Sequence, residues 1–169
     1  MDDLNRSKIP APFETERVVV KPEWVDYNGH MNVAYYPVAF DNAFDEVYDF
    51  LGVGNEGIKR TGISTFVAET HFTYQQELRT GQRLRITTQL LDFDAKRLQV
   101  FQAMYHAAEG FLAATGEWLI LCVDLRQRKV IAMPDDLRNL VARVHASHAG
   151  LPRPPEVGRS VTLTARRPR

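Results

Sequence analysis

Apolar residues follow two rhythms along this chain. Val33, Tyr36, Phe40, Phe44, Val47 and Leu51 recur at steps of three and four, the signature of one buried helical face. Asp41, Asp45, Glu46 and Asp49 fill the other faces. The pattern predicts one long central helix, with Asn32 as its N-cap and Gly52 as its terminating glycine. Pro37 lies about one position beyond the turn where a missing N–H is free, so a distorted first turn is expected. Residues 13–21 hold the β-branched run Arg17-Val18-Val19-Val20 before Pro22 and read as a first strand.

From Ile63 the rhythm drops to two. Leu84, Ile86, Thr88 and Leu90 alternate with Arg83, Arg85, Thr87 and Gln89, and Leu98, Val100, Gln102 and Met104 alternate in the same way. Residues 115–125 alternate again. Turn residues at Arg79-Thr80-Gly81, from Asp92 to Lys96 and at Glu109-Gly110 favour hairpins and an antiparallel meander. Residues 135–148 form a last helix, acidic at its start. One helix with a largely antiparallel sheet of five or six strands around it is an α+β fold. Open sheet edges commonly pair across a two-fold axis, so at least a dimer is expected.

Composition narrows the class. The chain has 169 residues, 44% of them hydrophobic and 25% charged, as in one globular domain. No apolar run approaches the ~20 residues of a bilayer span, and the start Met1-Asp2-Asp3-Leu4-Asn5-Arg6 has acids where a signal peptide is basic. The expectation is a cytoplasmic protein without membrane association. A lone Cys122 excludes cysteine-rich zinc sites, and the five histidines show no ligand spacing, so neither metal nor cofactor is expected. The 21 basic and 21 acidic residues cancel, which argues against nucleic acid as a partner. The cancellation hides a split: 16 basic and 20 acidic residues precede Leu151, and 5 basic and 1 acidic follow from there. Residues 1–149 are therefore read as one domain and residues 150–169 as a proline- and arginine-rich arm.

The chemistry concentrates in Trp24-Val25-Asp26-Tyr27-Asn28-Gly29-His30-Met31-Asn32, between the first strand and the central helix. Asp26 supplies a carboxylate before a tight turn, Gly29 permits a positive φ or close approach of a ligand, and His30 adds a second titratable group. The helix start adds free N–H groups that suit a polarised carbonyl oxygen, each worth about 2.7–4 kcal/mol when well aimed. Asp26 would activate water or attack directly. A plain Asx turn at Asp26 and Asn28, with His30 near solvent, is the competing structural reading.

Asp-Tyr-Asn-Gly-His-Met-Asn followed by Val-Ala-Tyr-Tyr, a helix and a meander resembles the hotdog-fold acyl-CoA thioesterases of the 4-hydroxybenzoyl-CoA thioesterase group. The resemblance covers roughly residues 13–125. It implies that Asp26 is the catalytic nucleophile or general base in an active site between two subunits of a homodimer or homotetramer. It also implies that Asn28, Gly29 and His30 shape the loop and that donors near Asn32 and Val33 receive the thioester oxygen. The partner subunit would contribute Ser64, Thr65 and Phe66. His30 is read either as an orienting hydrogen-bond donor or as packing. Glu69 is either an alternative carboxylate, on a strand expected to face the helix, or an exposed strand position.

A narrower resemblance, to betainyl-CoA thioesterases, rests on Asp94-Ala95-Lys96-Arg97-Leu98 and the ending Leu151-Pro-Arg-Pro-Pro-Glu-Val-Gly-Arg-Ser160. Betaine's trimethylammonium head needs aromatic faces or carboxylates, because it has no N–H to donate. Trp24, Tyr35, Tyr36 and Phe72 are candidate faces, and the helix acids are candidate carboxylates. Anionic coenzyme A directs attention to Lys59-Arg60 and Lys96-Arg97. Two other functions fit the same residues: a hotdog hydratase or dehydratase using His30 with Asp26, and a non-catalytic acyl-CoA-binding protein.

Overall fold

Helix α1, Tyr35–Leu51, lies along a six-stranded antiparallel sheet in a computed structural model that describes residues 8–163. Around it run β1 (Phe13–Val19), α2 (Asn55–Thr61), β2 (Ile63–Tyr74), β3 (Arg83–Phe93), β4 (Arg97–His106), β5 (Leu112–Asp124), β6 (Lys129–Val130) and α3 (Asp135–His148). A short 3-10 turn, Pro22–Trp24, precedes the loop of interest. The hotdog architecture expected from the sequence is present. No helix among the described residues is long and apolar enough to cross a membrane.

The alternating patterns place one face of β3, β4 and β5 under α1. Leu84, Ile86, Val100, Met104, Ile120, Phe40 and Phe44 share the buried core, the burial that stabilises both elements. Trp118 of β5 meets Phe40, Phe44 and Phe72 edge-on at centroid distances of 6.3, 5.2 and 5.1 Å. Gln102, fully buried in β4, donates from Nε2 to Phe40 O and Thr88 Oγ1, both at 3.1 Å, tying the helix backbone to the sheet.

Three expectations need correction. The strand order is β1-β3-β4-β5-β2, so β2 is not part of the meander but the far edge, reached after α1 has crossed the sheet. Ala34, not Asn32, is the N-cap of α1. Pro37 is consequently the third helical residue, where the N–H has no intrahelical partner anyway, and it distorts nothing. The predicted C-terminus holds: Gly52 takes φ +75° and donates to Asp49 O and Tyr48 O.

The arm lies on the outer face of its own sheet. Leu151, Pro152, Pro154 and Pro155 bound a cavity with Phe101, Ala103 and Tyr105 of β4, and Gly158 N donates to Glu117 Oε2 at 2.7 Å. Phe101 and Ala103 are buried there although they point away from α1. Residues 164–169, the end of the arm, lie outside the described residues.

Candidate active site

The loop at residues 24–32 is a small hairpin built to hold one carboxylate. Val25 bridges Met31, Asp26 N donates to His30 O at 3.2 Å, and Gly29 N donates to Asp26 O at 2.9 Å. Gly29 sits at φ +80° with no atom within 4 Å of where a Cβ would stand. The glycine is therefore required by the turn's left-handed residue, not by lack of space. Met31 is buried and its N–H donates to Leu78 O at 2.7 Å, while Asn32 N donates to Trp24 O at 2.8 Å. These bonds pin the hairpin to the core at its base and leave its tip open. Tyr27, at the tip, is 97% exposed.

Both Asp26 oxygens accept hydrogen bonds: Oδ1 from Asn28 N at 2.8 Å and Oδ2 from Asn32 Nδ2 at 2.9 Å. The Asn28 amide, then Asn32, and the nearby His30 hold the carboxyl below its usual range, so it is ionised at neutral pH. Asn32 uses its other side-chain atom as well, with Oδ1 accepting from Ala34 N at 2.9 Å. Its place is two residues before the N-cap Ala34, and its work is to join the carboxylate to the helix start. The exposed Val33 between them has a backbone N–H with no protein acceptor among the described residues. An ionised carboxylate therefore stands beside an open N–H at the positive end of α1.

His30 is half-buried, with Nδ1 3.2 Å from Met31 O, and no hydrogen bond joins it to the Asp26 carboxylate. Trp24 and Tyr35 stack on each other at 5.7 Å, and the buried Tyr36 meets Tyr74 edge-on at 5.0 Å. Phe72 stacks on Phe40 at 5.9 Å. The four aromatics thus spend their faces largely on each other and on the core within one chain.

Ser64, Thr65 and Phe66 lie at the start of β2, whereas the Asp26 hairpin bonds Leu78, four residues past its end, through Met31 N. One chain does not bring the two groups together. Glu69 is exposed on the outer face and lines a cavity of about 490 Å³ with His71, Gln99, Glu117 and Arg159. The expectation that it faces the helix is overturned by a bulge between Val67 and Glu69. Thr65 reaches Tyr48 of α1 before the bulge and Phe72 reaches Phe40 after it, so the inward set changes from odd to even numbers and Glu69 turns out. Lys59 pairs with Glu56 at 2.6 Å, and Arg97 Nε bonds Asp94 Oδ2 at 2.7 Å. Arg60 and Lys96 are exposed and form no ion pair among the described residues.

Sequence reasoning missed Asn32 as the second ligand of the Asp26 carboxylate. The signal was available as two amide side chains, Asn28 and Asn32, bracketing one turn.

A hotdog sheet around one helix, with a carboxylate held at the helix entrance, defines the class of thioester hydrolases. The Thioesterase-like superfamily profile matches residues 20–141, and the chain belongs to that family. It is 33% identical over 157 residues to a betainyl-CoA thioesterase of Pseudomonas aeruginosa, covering 93% of this chain and 97% of that protein. It is 35% identical over 165 residues to an L-carnitine dehydrogenase/betainyl-CoA thioesterase of Ruegeria pomeroyi, covering 98% of this chain and 33% of that protein. The chain spans about a third of that longer relative. Among solved structures, a candidate thioesterase of Pseudomonas putida KT2440 superposes with a TM-score of 0.77 at 30% identity, covering 94% of this chain and 100% of the other. A Staphylococcus aureus protein solved in complex with CoA superposes at 0.84, covering 94% and 99%, and at 24% identity it attests the fold.

Proposed function

We propose that this protein hydrolyses an acyl-CoA thioester at Asp26, with betainyl-CoA as substrate, and works as a homodimer. The observation that carries the reading is the ionised Asp26 carboxylate, held by two donors beside the open Val33 N–H. In this reading the thioester carbonyl oxygen points at that N–H, which strengthens its bond as negative charge develops. Along one route Asp26 takes a proton from water as the water oxygen attacks the carbonyl carbon. The tetrahedral intermediate then expels the CoA thiolate, which recovers the proton. Along the other route Asp26 attacks the carbonyl itself and the thiolate leaves, and water cleaves the resulting anhydride. Single turnover in ¹⁸O-labelled water separates them, since label enters the Asp26 carboxylate only along the second route when water attacks the aspartyl carbonyl.

The two relatives whose names include betainyl-CoA thioesterase support betainyl-CoA as the substrate. A hydratase reading loses ground because His30 is engaged with the Met31 carbonyl and not with Asp26. The test is thiol release from a panel of acyl-CoAs that includes betainyl-CoA. We expect betainyl-CoA to give the highest kcat/KM, and Asp26→Asn to lower kcat by about 100-fold or more. Thiol release that is undiminished in Asp26→Asn would sink the assignment, and a straight-chain acyl-CoA outpacing betainyl-CoA would sink the substrate.

A further inference from the structure

Two buried side-chain atoms under α1 have no hydrogen-bond partner among the described residues: Trp118 Nε1 and Gln102 Oε1. Both residues belong to the interior, Trp118 at 5% exposure and Gln102 at 0%. One atom can only donate and the other can only accept. A buried polar atom left unpaired carries its full desolvation cost, so a complementary pair of them needs a physical cause.

The neighbours of Gln102 fix which way its amide points. Phe40 O can only accept, so the amide nitrogen faces it at 3.1 Å, with Thr88 Oγ1 at 3.1 Å from the same nitrogen. Oε1 is thereby turned away from Phe40 O. Toward β5, the residue opposite Gln102 is Gly116. A Cβ at Gly116 would stand 2.9 Å from Trp118 Nε1 and 3.1 Å from Phe72 Cε1. The indole N–H thus takes the place of a side chain at 116, across from Gln102, and that close approach accounts for a glycine in mid-strand. Side chains directly opposite on neighbouring strands start ~5 Å apart. Trp118 Nε1 and Gln102 Oε1 are not bonded to each other, and a span of about 5 Å is what one oxygen bridges with two ordinary hydrogen bonds.

The seam between α1 and the edge strand β2 leads to this pair. Along it Tyr36 meets Tyr74, and one helical turn further Phe40 stacks on the half-buried Phe72, with Trp118 edge-on to Phe72 at 5.1 Å. From the open Val33 N–H to Phe40 is roughly 10 Å along the helix. The seam is therefore an apolar path inward from the thioester position, and the unpartnered pair stands at its inner end.

We infer that Trp118 Nε1 and Gln102 Oε1 hold one water molecule between them, and that this polar floor restricts the protein to short acyl groups. The water accepts from the indole N–H and donates to the amide oxygen, and two protein partners are enough to keep a buried water in place. The restriction on the acyl group rests on the acyl-CoA hydrolase reading. A betainyl group, whose head stands one methylene from its carbonyl, ends short of the floor. An unbranched chain of about eight carbons covers the roughly 10 Å to it. Such a chain displaces the water and leaves donor and acceptor facing a methyl group, so both hydrogen bonds are lost.

A high-resolution crystal structure tests the water, and steady-state kinetics with betainyl-CoA and octanoyl-CoA test the restriction. An oxygen within hydrogen-bond distance of both atoms supports the site. Density that places the indole N–H against the Phe72 ring, with no oxygen at either atom, overturns it. Two replacements remove one polar group each while conserving volume: Gln102→Met, and 3-benzothienylalanine for Trp118, which puts sulfur where the N–H was. Each should raise the ratio of kcat/KM for octanoyl-CoA over betainyl-CoA about tenfold or more, an effect of polarity and not of added space. Gln102→Met also cuts the tie to Phe40 O, so native circular dichroism is required of it, and the tryptophan analogue decides if it fails to fold. An unchanged ratio in a folded variant overturns the restriction. A wild-type protein that hydrolyses neither thioester overturns the hydrolase reading instead, and the crystal structure then decides the water by itself.

Discussion

Asn32 commits every polar group it has. Its N–H bonds Trp24 O, its carbonyl accepts from Tyr35 N, its Oδ1 accepts from Ala34 N, and its Nδ2 donates to Asp26. Because that last donor bonds the carboxylate and cannot serve a protonated oxygen equally well, it favours the charged form and helps keep the Asp26 pKa low. In Asn32→Ala the pKa of Asp26 rises, and the acid limb of the kcat/KM profile moves to higher pH. At neutral pH the loosened carboxylate should cost about tenfold or more in kcat, the effect of a misplaced reacting group. An acid limb unmoved in Asn32→Ala would show that Asp26 is not the titrating group. The sequence marked Asn32 as special but for the wrong task, because an asparagine just ahead of an apolar periodicity reads as a cap. Only the hairpin fold turns its amide back six residues.

At the scale of elements, His148 shows how α3 is locked to the sheet. Its buried ring accepts from Leu90 N at Nδ1, 2.9 Å, and faces Pro10 O at Nε2, 2.9 Å. An imidazole that accepts at one nitrogen and donates at the other is neutral, and burial pushes its pKa below the ordinary 6.5. The unfolded chain therefore takes up a proton first as pH falls below about 6.5. Stability contributed by this ring is complete above that value and is lost as pH drops toward the folded pKa. His148→Gln keeps an acceptor and a donor but does not titrate. Thermal melts at pH 7 and pH 5 should show the wild type losing more than the variant, by about 2–4 °C per kcal/mol for a domain of this size. Equal losses would remove His148 as the source. Long elements such as α1, β3, β4 and β5 were legible because each buries one face over ten or more residues. Helix α2 was not: Asn55–Thr61 has a single large apolar residue, Ile58, and so no periodicity to read. Nor does alternation reveal a bulge, and one bulge reversed the facing of Glu69.

At the scale of the whole molecule, the neutral total separates into regions that the sequence showed only in part. Composition revealed an acidic body and a basic arm. It could not reveal that Lys59, Arg60, Lys96, Arg126, Arg128 and Lys129 converge, because they come from three separated segments that topology alone brings to one end of the sheet. The same topology leaves β2, the edge strand, without a neighbour on one side, and β2 is twelve residues long. Phe66, Val67 and Tyr74 on it are 42%, 44% and 46% exposed, and Val33 beside Asp26 is 58% exposed. A long apolar edge of this kind is an aggregation hazard unless a defined partner covers it. In the homodimer proposed above, a second copy would cover it and bring Ser64, Thr65 and Phe66 toward the Asp26 loop in the same step. Val67→Lys places a charge in that pairing, at a position 44% exposed in the single chain. Sedimentation should show the variant as a monomer with native circular dichroism, and its turnover should fall by about 100-fold, since each site would lack its second half. A monomeric variant that keeps wild-type turnover would make the active site the property of one chain.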